Sequence, residues 1–223
     1  MDQLIQIQTE YCNRCSIQGE KISKIISPIM RSNSSILFVI DYPTIEDNQY
    51  GILFSGLNPR ASMIYKIIKS LGLKEENFSF LPMCSCVVNS KSIVTHKVFK
   101  HCMNAKLEYI LNNYDIKGIV LFGVETAYYF LGRPIEDLSD VRGKIYSFHI
   151  NDKIYPMIVT FQLGTLVKTG CSSCGGANAR QHLTCIDIEK LIMELKRKGV
   201  KFIKWENITL NPLQNLRIWS IVF

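Results

Sequence analysis

The sequence lacks long apolar runs, internal repeats and low-complexity tracts. No apolar run approaches the roughly 20 residues that span a bilayer, which argues against an integral membrane protein. The first residues also lack the basic-then-apolar pattern of a secretory signal peptide. We therefore expect a soluble, cytoplasmic protein without a membrane partner. Its 223 residues favour one main domain, and we expect a monomer.

Charge of one sign is not concentrated in any one part of the chain. The 26 Lys+Arg exceed the 19 Asp+Glu to give a net charge of +7, and the one local basic run is at 196–198. Such a dispersed excess permits binding to a phosphate backbone without requiring it. Simple solubility is the alternative explanation.

The eight cysteines are the most informative residues. Without an export signal, a framework of disulfides is not expected. Close pairs occur at Cys12 and Cys15 and at Cys171 and Cys174. In a reducing compartment such pairs are better explained as ligands of a metal ion or an iron–sulfur cluster.

Apolar segments of two kinds alternate along the chain. Ile36–Ile40, 78–83 and Gly118–Phe122 are predicted to be buried strands, and Ile145–Ile150 with 154–160 a hairpin joined by Asn151-Asp152. Helices are predicted at 63–71, 98–111, 125–131 and 186–198, and 46–56 is predicted to be an irregular loop. This alternation predicts an α/β fold with a mainly parallel sheet. The carboxyl ends of its strands are where chemistry is expected.

A series of short motifs runs through most of the chain. In order they are Cys12-x-x-Cys15, Asp41-Tyr42-Pro43-Thr44 after a strand, Glu46-Asp47, Gly51, Phe54-Ser55-Gly56, Leu71-Gly72-Leu73, Cys86 and Cys102, Leu121-Phe122-Gly123, Arg142-Gly143 and Gln162-Leu163-Gly164. Cys86 and Cys102 have 15 residues between them. Over roughly 11–198, this order and spacing resemble the uracil-DNA glycosylase superfamily, in particular its family 4, the iron–sulfur type.

The resemblance implies a fold and a cofactor. The fold would be a three-layer sandwich around a central sheet at 1–200, followed by a short C-terminal extension at 201–223. That extension would pack on the domain or contact a replication or repair protein. The ligands of a [4Fe–4S] cluster would be Cys12, Cys15, Cys86 and Cys102. Two alternatives stay open: Cys84 in place of Cys86, and a zinc ion held by the two Cys-x-x-Cys pairs.

The resemblance also assigns the catalytic positions. Asp41 would supply the carboxylate near the sugar, and Gln162 stands where the family has a histidine that hydrogen-bonds the leaving pyrimidine. Tyr42, Pro43 and Phe54 would line the base pocket, with Phe54 stacking on an extruded base. A turn-capping aspartate and a core phenylalanine are the plainer readings of Asp41 and Phe54.

Pro82 stands where the family has the asparagine that reads the uracil edge. Proline has no side-chain donor or acceptor, so that contact is lost.

Three residues would contact DNA by the same resemblance. Leu166 would be a minor-groove wedge, Lys168 a phosphate contact, and Arg142 part of the Arg-Gly motif. The expected function is excision of uracil or a modified pyrimidine from single- or double-stranded DNA. The altered motifs leave an inactive DNA-binding or repair accessory protein as the alternative. A redox or metal protein that uses Cys171 and Cys174 is a third.

Overall fold

The computed structural model describes residues 2–20, 24–55, 58–88, 94–167 and 176–205. The strands in these ranges are β1 (Ile36–Ile40), β2 (Phe78–Pro82), β3 (Gly118–Phe122), β4 (Ile145–Ile150) and β5 (Lys153–Thr160). The helices are α1 (Asp2–Cys12), α2 (Ile45–Tyr50), α3 (Pro59–Ser70), α4 (His96–Asn104), α5 (Leu107–Asn113), α6 (Val124–Leu131), α7 (Leu163–Val167) and α8 (Gly176–Arg197).

The strands form one sheet in the order β2-β1-β3-β5-β4. The pairings β1 with β2, β1 with β3 and β3 with β5 are parallel, and β4 runs antiparallel to β5. Every residue of β1, β2 and β3 is buried, as continuous apolar runs predict for strands that are covered on both faces. The predicted central, mainly parallel sheet is confirmed.

Helices cover both faces of this sheet. Leu37, Val39 and Leu121 belong to one core cluster, which also contains side chains of α1, α4, α5 and α6. Phe38 and Val120 point the other way and belong to a second cluster, with side chains of α3, α7 and α8. The alternation of side chains along each strand thus separates two apolar cores. The architecture is the expected three-layer α/β sandwich.

Several predicted boundaries were wrong. The predicted loop 46–56 contains α2, because the buried Asp47 accepts the backbone N–H of Thr44 at 2.8 Å and begins a helix there. The predicted helix 98–111 is two helices, α4 and α5. The chain leaves the helical path at Lys106, where φ is −137°. Helix α8 begins about ten residues before the predicted position, and α1 was not predicted.

The hairpin of β4 and β5 follows its sequence signal closely. Asn151 and Asp152 have φ of 48° and 59°, the conformation of a two-residue type I′ turn. Asparagine and aspartate tolerate this left-handed region better than most residues.

The beginning of the predicted C-terminal extension lies against the turn before β2. Asn77 donates to the Ile203 carbonyl and accepts from its N–H, each at 2.7 Å, and the Trp205 N–H donates to the Gly72 carbonyl at 3.2 Å. Residues 206–223, which include Trp219 and Phe223, lie outside the described part of the chain. Among the described helices, none combines the length and the apolar character that crossing a bilayer requires.

Candidate functional site

A cavity of about 370 Å³ lies at the carboxyl ends of β1, β3 and β5. It is lined by Asp41, Phe122, Gly123, Val124, Glu125, Leu138, Phe161, Gln162, Thr165 and Arg180. Its volume falls within the roughly 300–1,000 Å³ of small-molecule sites. The position is the one where parallel α/β sheets place their ligands.

Asp41 and Gln162 meet in this cavity. Asp41 follows β1 directly and Gln162 stands two residues after β5. These strands flank β3 and run parallel to it, so their carboxyl ends lie at the same edge of the sheet. The Gln162 Nε2 donates to Asp41 Oδ2 at 2.5 Å, and Asp41 is 2% exposed. The two residues predicted to be catalytic, which are 121 positions apart, therefore form one hydrogen-bonded pair.

Arg60 is a third charged residue at this pair, and the sequence analysis missed it. Its Nη1 lies 3.5 Å from Asp41 Oδ1 and donates to the Tyr42 carbonyl at 3.1 Å. The guanidinium also lies 5.6 Å from the centroid of the Tyr42 ring. A sequence signal did exist: Asn58-Pro59-Arg60 begins α3, and a cation in a first helical turn opposes the helix dipole. An arginine at this helical position is therefore expected to pair with a carboxylate, which offsets the unfavourable interaction with the dipole.

A buried hydrogen-bond network holds the loop that carries Asp41. Asp47 is 1% exposed, and its Oδ1 accepts from Asn58 Nδ2 at 2.8 Å. The same Asn58 amide donates to Thr44 Oγ1 at 3.1 Å, while Asn58 Oδ1 caps α3 through the Arg60 N–H. The Glu-Asp motif thus fixes the loop between β1 and α3. That loop in turn places Arg60 against Asp41.

The four positions that the resemblance assigns to the base pocket are buried or half-buried. Tyr42 is half-buried and Pro43 is buried. Phe54 is 7% exposed, and its ring packs edge-on against Phe80 at 5.2 Å between centroids. Pro82 ends β2 beside Ile40, and its carbonyl accepts from Lys106. The described lining of the 370 Å³ cavity includes none of these four side chains.

Of the three residues predicted to contact DNA, Leu166 and Arg142 lie in the described part of the chain. Leu166 is fully buried on α7 in the second core cluster, so in this structure it is a core residue and not an exposed wedge. The reason is the helical turn after β5, which directs Leu166 towards the sheet. Lys168 lies outside the described residues.

Arg142 is engaged inside the protein. Its Nη1 lies 2.9 Å and 2.7 Å from the two carboxylate oxygens of Asp187 on α8, and its guanidinium stacks over Phe161 at 5.0 Å. Asp187 also accepts from Thr160 at 2.8 Å. Burial raises the pKa of Asp187, while the bonds from Thr160 and Arg142 oppose that rise. A Cβ at Gly143 would lie 2.8 Å from Asp187 Oδ1. The Arg-Gly motif therefore serves a buried ion pair.

The predicted cluster ligands line a second, smaller cavity. Cys12, Cys15, Cys86 and Cys102 surround about 20 Å³ together with Cys84. Cys12 ends α1, Cys86 follows β2, and Cys102 lies on α4. The sulfurs of Cys84 and Cys86 are 3.6 Å apart. The pKa of the Cys84 thiol is raised well above its usual value, first by that hydrogen bond and then by burial.

The donor set of this cavity suits an iron–sulfur cluster, since thiolates are the usual ligands of such clusters and the described lining contains no carboxylate. Within the described ranges, no three His, Cys, Asp or Glu side chains converge closely enough to hold a metal ion. The chemistry of these residues fits a cluster, and the cavity of about 20 Å³ would have to enlarge to hold one. Cys171 and Cys174, the second pair, lie outside the described residues.

Backbone hydrogen bonds connect the segment that lines the cysteine cavity with the segment that carries Asp41. Beyond β2 the chain continues alongside Asp41: the Met83 N–H donates to the Ile40 carbonyl at 2.8 Å and the Cys84 N–H to the Asp41 carbonyl at 3.0 Å. These two hydrogen bonds hold the loop that carries Cys84 and Cys86 beside the loop that carries Asp41.

Comparison with known proteins places the chain in a family. No curated protein matches it. The sequence profile described as "Uracil DNA glycosylase superfamily" matches residues 28–170, which is well over half of the chain. The matched segment contains β1 to β5, Asp41 and Gln162, and it begins after Cys12 and Cys15. On this evidence the chain belongs to the uracil-DNA glycosylase superfamily.

Proposed function

We propose that the protein removes uracil or a modified pyrimidine from DNA by hydrolysing the N-glycosidic bond. One observation carries the proposal: a buried carboxylate and an amide donor, Asp41 and Gln162, meet at 2.5 Å in a cavity at the carboxyl ends of the parallel strands. Family membership supports DNA as the class of substrate, and this pair has groups suited to both halves of the reaction.

The reaction breaks the bond between C1′ of the sugar and the base nitrogen. The electron pair leaves with the base, the oxygen of water bonds to C1′, and a proton from that water neutralises the base. The Asp41 carboxylate would stabilise the positive charge at C1′ and orient the water. A glutamine amide has two N–H groups. One of those on Gln162 binds Asp41, and the other would donate to the base oxygen where negative charge develops.

Selectivity for the base would differ from that of the family motif. Pro82 cannot hydrogen-bond a base edge through its side chain. Glu125 and Arg180 line the cavity and carry an acceptor and a donor that could serve instead. We therefore include modified pyrimidines beside uracil among the proposed substrates.

An excision assay tests the proposal. The wild type and Asp41→Asn are incubated with single- and double-stranded DNA that contains uracil or a modified pyrimidine, and abasic product is measured. We expect product from the wild type and a loss of roughly 10²–10⁴-fold in Asp41→Asn, the usual contribution of a positioned acid–base group. Asp152→Asn is the matched control, because that carboxylate is exposed in the β4–β5 turn. Absence of product from every substrate would refute catalysis.

A second candidate is an inactive member that binds DNA as a repair accessory protein. The observation in its favour is that both Asp41 oxygens already have partners, Gln162 at 2.5 Å and Arg60 at 3.5 Å. This candidate predicts DNA binding that survives Asp41→Ala and no abasic product from the wild type. Contact of the C-terminal extension 201–223 with a replication or repair protein is part of the same proposal, and binding of such a protein to the full chain and to a chain without this segment tests it.

We further propose that the protein is of the family 4, iron–sulfur type. Cys12, Cys15, Cys86 and Cys102 would hold a [4Fe–4S] cluster, with Cys84 as the alternative to Cys86. Support comes from the five thiols that line one cavity. When bound, the cluster would supply a rigid inorganic cross-link between α1, the loop after β2, and α4.

Metal analysis after anaerobic purification tests the cofactor. We expect about four irons and matching sulfide per chain. Cys86→Ser should lower both, while Cys185→Ser, a cysteine on α8 outside the cavity, should not. If Cys84→Ser lowers them instead, Cys84 is the ligand. Zinc in place of iron would contradict the assignment.

A further inference from the structure

A lysine is fully buried beside the cysteine cavity. Lys106 is 0% exposed and lies where α4 ends and α5 begins. Its Nζ contacts three atoms: the Pro82 carbonyl oxygen, Ser85 Oγ at 2.7 Å and Cys102 Sγ at 3.6 Å. Within the described part of the chain, none of the ion pairs includes Lys106.

A buried ammonium group is costly unless negative charge compensates it. A carbonyl and a hydroxyl are neutral acceptors, so two of the three contacts supply no charge. The third, the sulfur of Cys102, becomes anionic when it is a thiolate. The position of Lys106 is therefore explained if the cavity that contains Cys102 carries net negative charge.

A second buried polar side chain, with one unpartnered atom, lies at the same cavity. Gln8 on α1 lines the same cavity and is 2% exposed. Its Nε2 lies 3.0 Å from Ser85 Oγ, while its Oε1 has no partner. In the opposite amide orientation, Ser85 would donate to Oε1 and the NH₂ group would be left as a second donor at the cavity. Lys106 and Gln8 would then both present N–H groups next to the sulfurs.

We propose that Lys106 is the counter-charge of the cysteine cavity, which stabilises the anionic thiolate–cluster group and raises its reduction potential. This inference rests on the proposed cluster. Reduction adds one electron, supplied by the titrant in the test below, and makes the group more negative. A fixed cation beside it favours the reduced form, because net charge and hydrogen bonds to sulfur set the potential of such clusters.

The test separates the charge of Lys106 from its hydrogen bonds. Lys106→Gln removes the charge and keeps an N–H donor for Pro82 and Ser85, while Lys97→Met removes a lysine from the exposed side of α4. Proteins purified anaerobically are analysed for iron and sulfide, and the midpoint potential is measured by spectroscopic redox titration. We expect Lys106→Gln to have a more negative potential than the wild type and to lose iron faster to a chelator. Lys97→Met should match the wild type.

The possible outcomes distinguish the role of Lys106 from the presence of the cluster. A loaded Lys106→Gln protein with the wild-type potential would overturn the role of Lys106 and leave the cofactor intact. A wild type without iron would overturn both. Neither result depends on base excision, which is assayed separately. If Lys106→Gln does not fold, Lys106→Met is measured instead; it removes the charge and the hydrogen bonds together, and its potential should also be more negative than that of the wild type.

Discussion

Gln162 contacts both the Asp41 carboxylate, which follows β1, and Gly123, which follows β3. Its amide is bound to Asp41 at 2.5 Å, and its Cβ and Cγ lie close to Gly123. A Cβ at Gly123 would come within 3.0 Å of the Gln162 Cβ, and Gly123 also has a φ of 100°, so glycine is needed there. The side chain of Gln162 is thereby confined to the direction of the carboxylate.

Gln162→His should increase base excision, because histidine is the residue that the resembled family uses to bind the leaving pyrimidine oxygen. A well-placed donor is worth roughly 10²–10³-fold in rate, and we expect a gain of about that size if the imidazole reaches the base. Single-turnover kinetics on the best substrate measure it. Gln162→Glu, which has the same length and lacks the N–H, should lose activity. Equal rates in the two variants would argue against a donor role for this position.

Gly143 and Gly132 provide a matched pair of glycines. Both have positive φ, 72° and 66°, but a Cβ at Gly143 would lie 2.8 Å from Asp187 Oδ1, whereas a Cβ at Gly132 meets nothing within 4 Å. Gly132→Ala should lower the free energy of unfolding by about 1–2 kcal/mol, the cost of the left-handed conformation. Gly143→Ala should lower it by about 1–3 kcal/mol more, because of overpacking. Urea unfolding measures both, and equal losses would contradict the close approach.

At the scale of elements, the Arg142–Asp187 ion pair ties the segment before β4 to α8. Asp187 is 1% exposed and Arg142 about one fifth exposed, so the pair is partly shielded from water. Thr160 at the end of β5 completes the network. The carboxylate of Asp187 on α8 therefore binds both Arg142, in the segment before β4, and Thr160, at the end of β5.

Replacing Arg142 should show how strongly the buried Asp187 carboxylate destabilises the fold when it has no cationic partner. Arg142→Ala is expected to lower the free energy of unfolding by roughly 3–5 kcal/mol at neutral pH, because a buried carboxylate loses its partner. Arg197→Ala is the control: it breaks an exposed pair with Glu194 and should change stability by about 1 kcal/mol or less.

The pH dependence of that loss has a definite sign. The pKa of Asp187 is already raised by burial in the folded protein, and without Arg142 it should rise further. Protonation then favours the folded state, so this group's contribution is largest at low pH and is lost as the pH rises through the raised pKa. The deficit of Arg142→Ala relative to the wild type should therefore shrink on acidification. Unfolding measured across a pH series tests this, and a constant deficit would contradict it.

Helix breaks were the hardest feature to predict at this scale. The apolar spacing of 98–111 fits one helix, and nothing local marks Lys106 as a break. The chain bends there because the Lys106 ammonium reaches Pro82, Ser85 and Cys102 inside the fold. Two of those partners, Pro82 and Ser85, lie 24 and 21 positions away in sequence, beyond any local pattern.

At the scale of the whole molecule, the net charge of +7 should govern association with DNA. Cations that neutralise phosphates release counterions, so the logarithm of the affinity should fall linearly with the logarithm of the salt concentration. Fluorescence anisotropy with a labelled oligonucleotide measures the slope. Asp41→Asn should leave that slope unchanged, because Asp41 is buried in the cavity. An affinity that does not respond to salt would contradict phosphate binding.

The strands β1, β2 and β3 and the hairpin could be predicted from the sequence, because continuous apolar runs and the Asn-Asp turn are local signals. The same signals predicted a parallel sheet and therefore the edge at which Asp41 and Gln162 meet. Phe54 was predicted to stack on an extruded base and Leu166 to act as a minor-groove wedge, and both are buried. Whether an apolar side chain faces a ligand or a core depends on what packs over it, which its own sequence neighbours do not specify.

Hydrophobic periodicity by itself thus determined the five strands and several of the helices between them, since each of these elements is selected by residues within a few positions of one another. Tertiary structure alone decided which charges pair. Arg60 lies against Asp41 and Arg142 against Asp187, while Lys106 lies beside the cysteine cavity without an ion-pair partner among the described residues. Electrostatic partners are chosen by distance in space and by exclusion of water, and both arise only when segments far apart in the chain pack together.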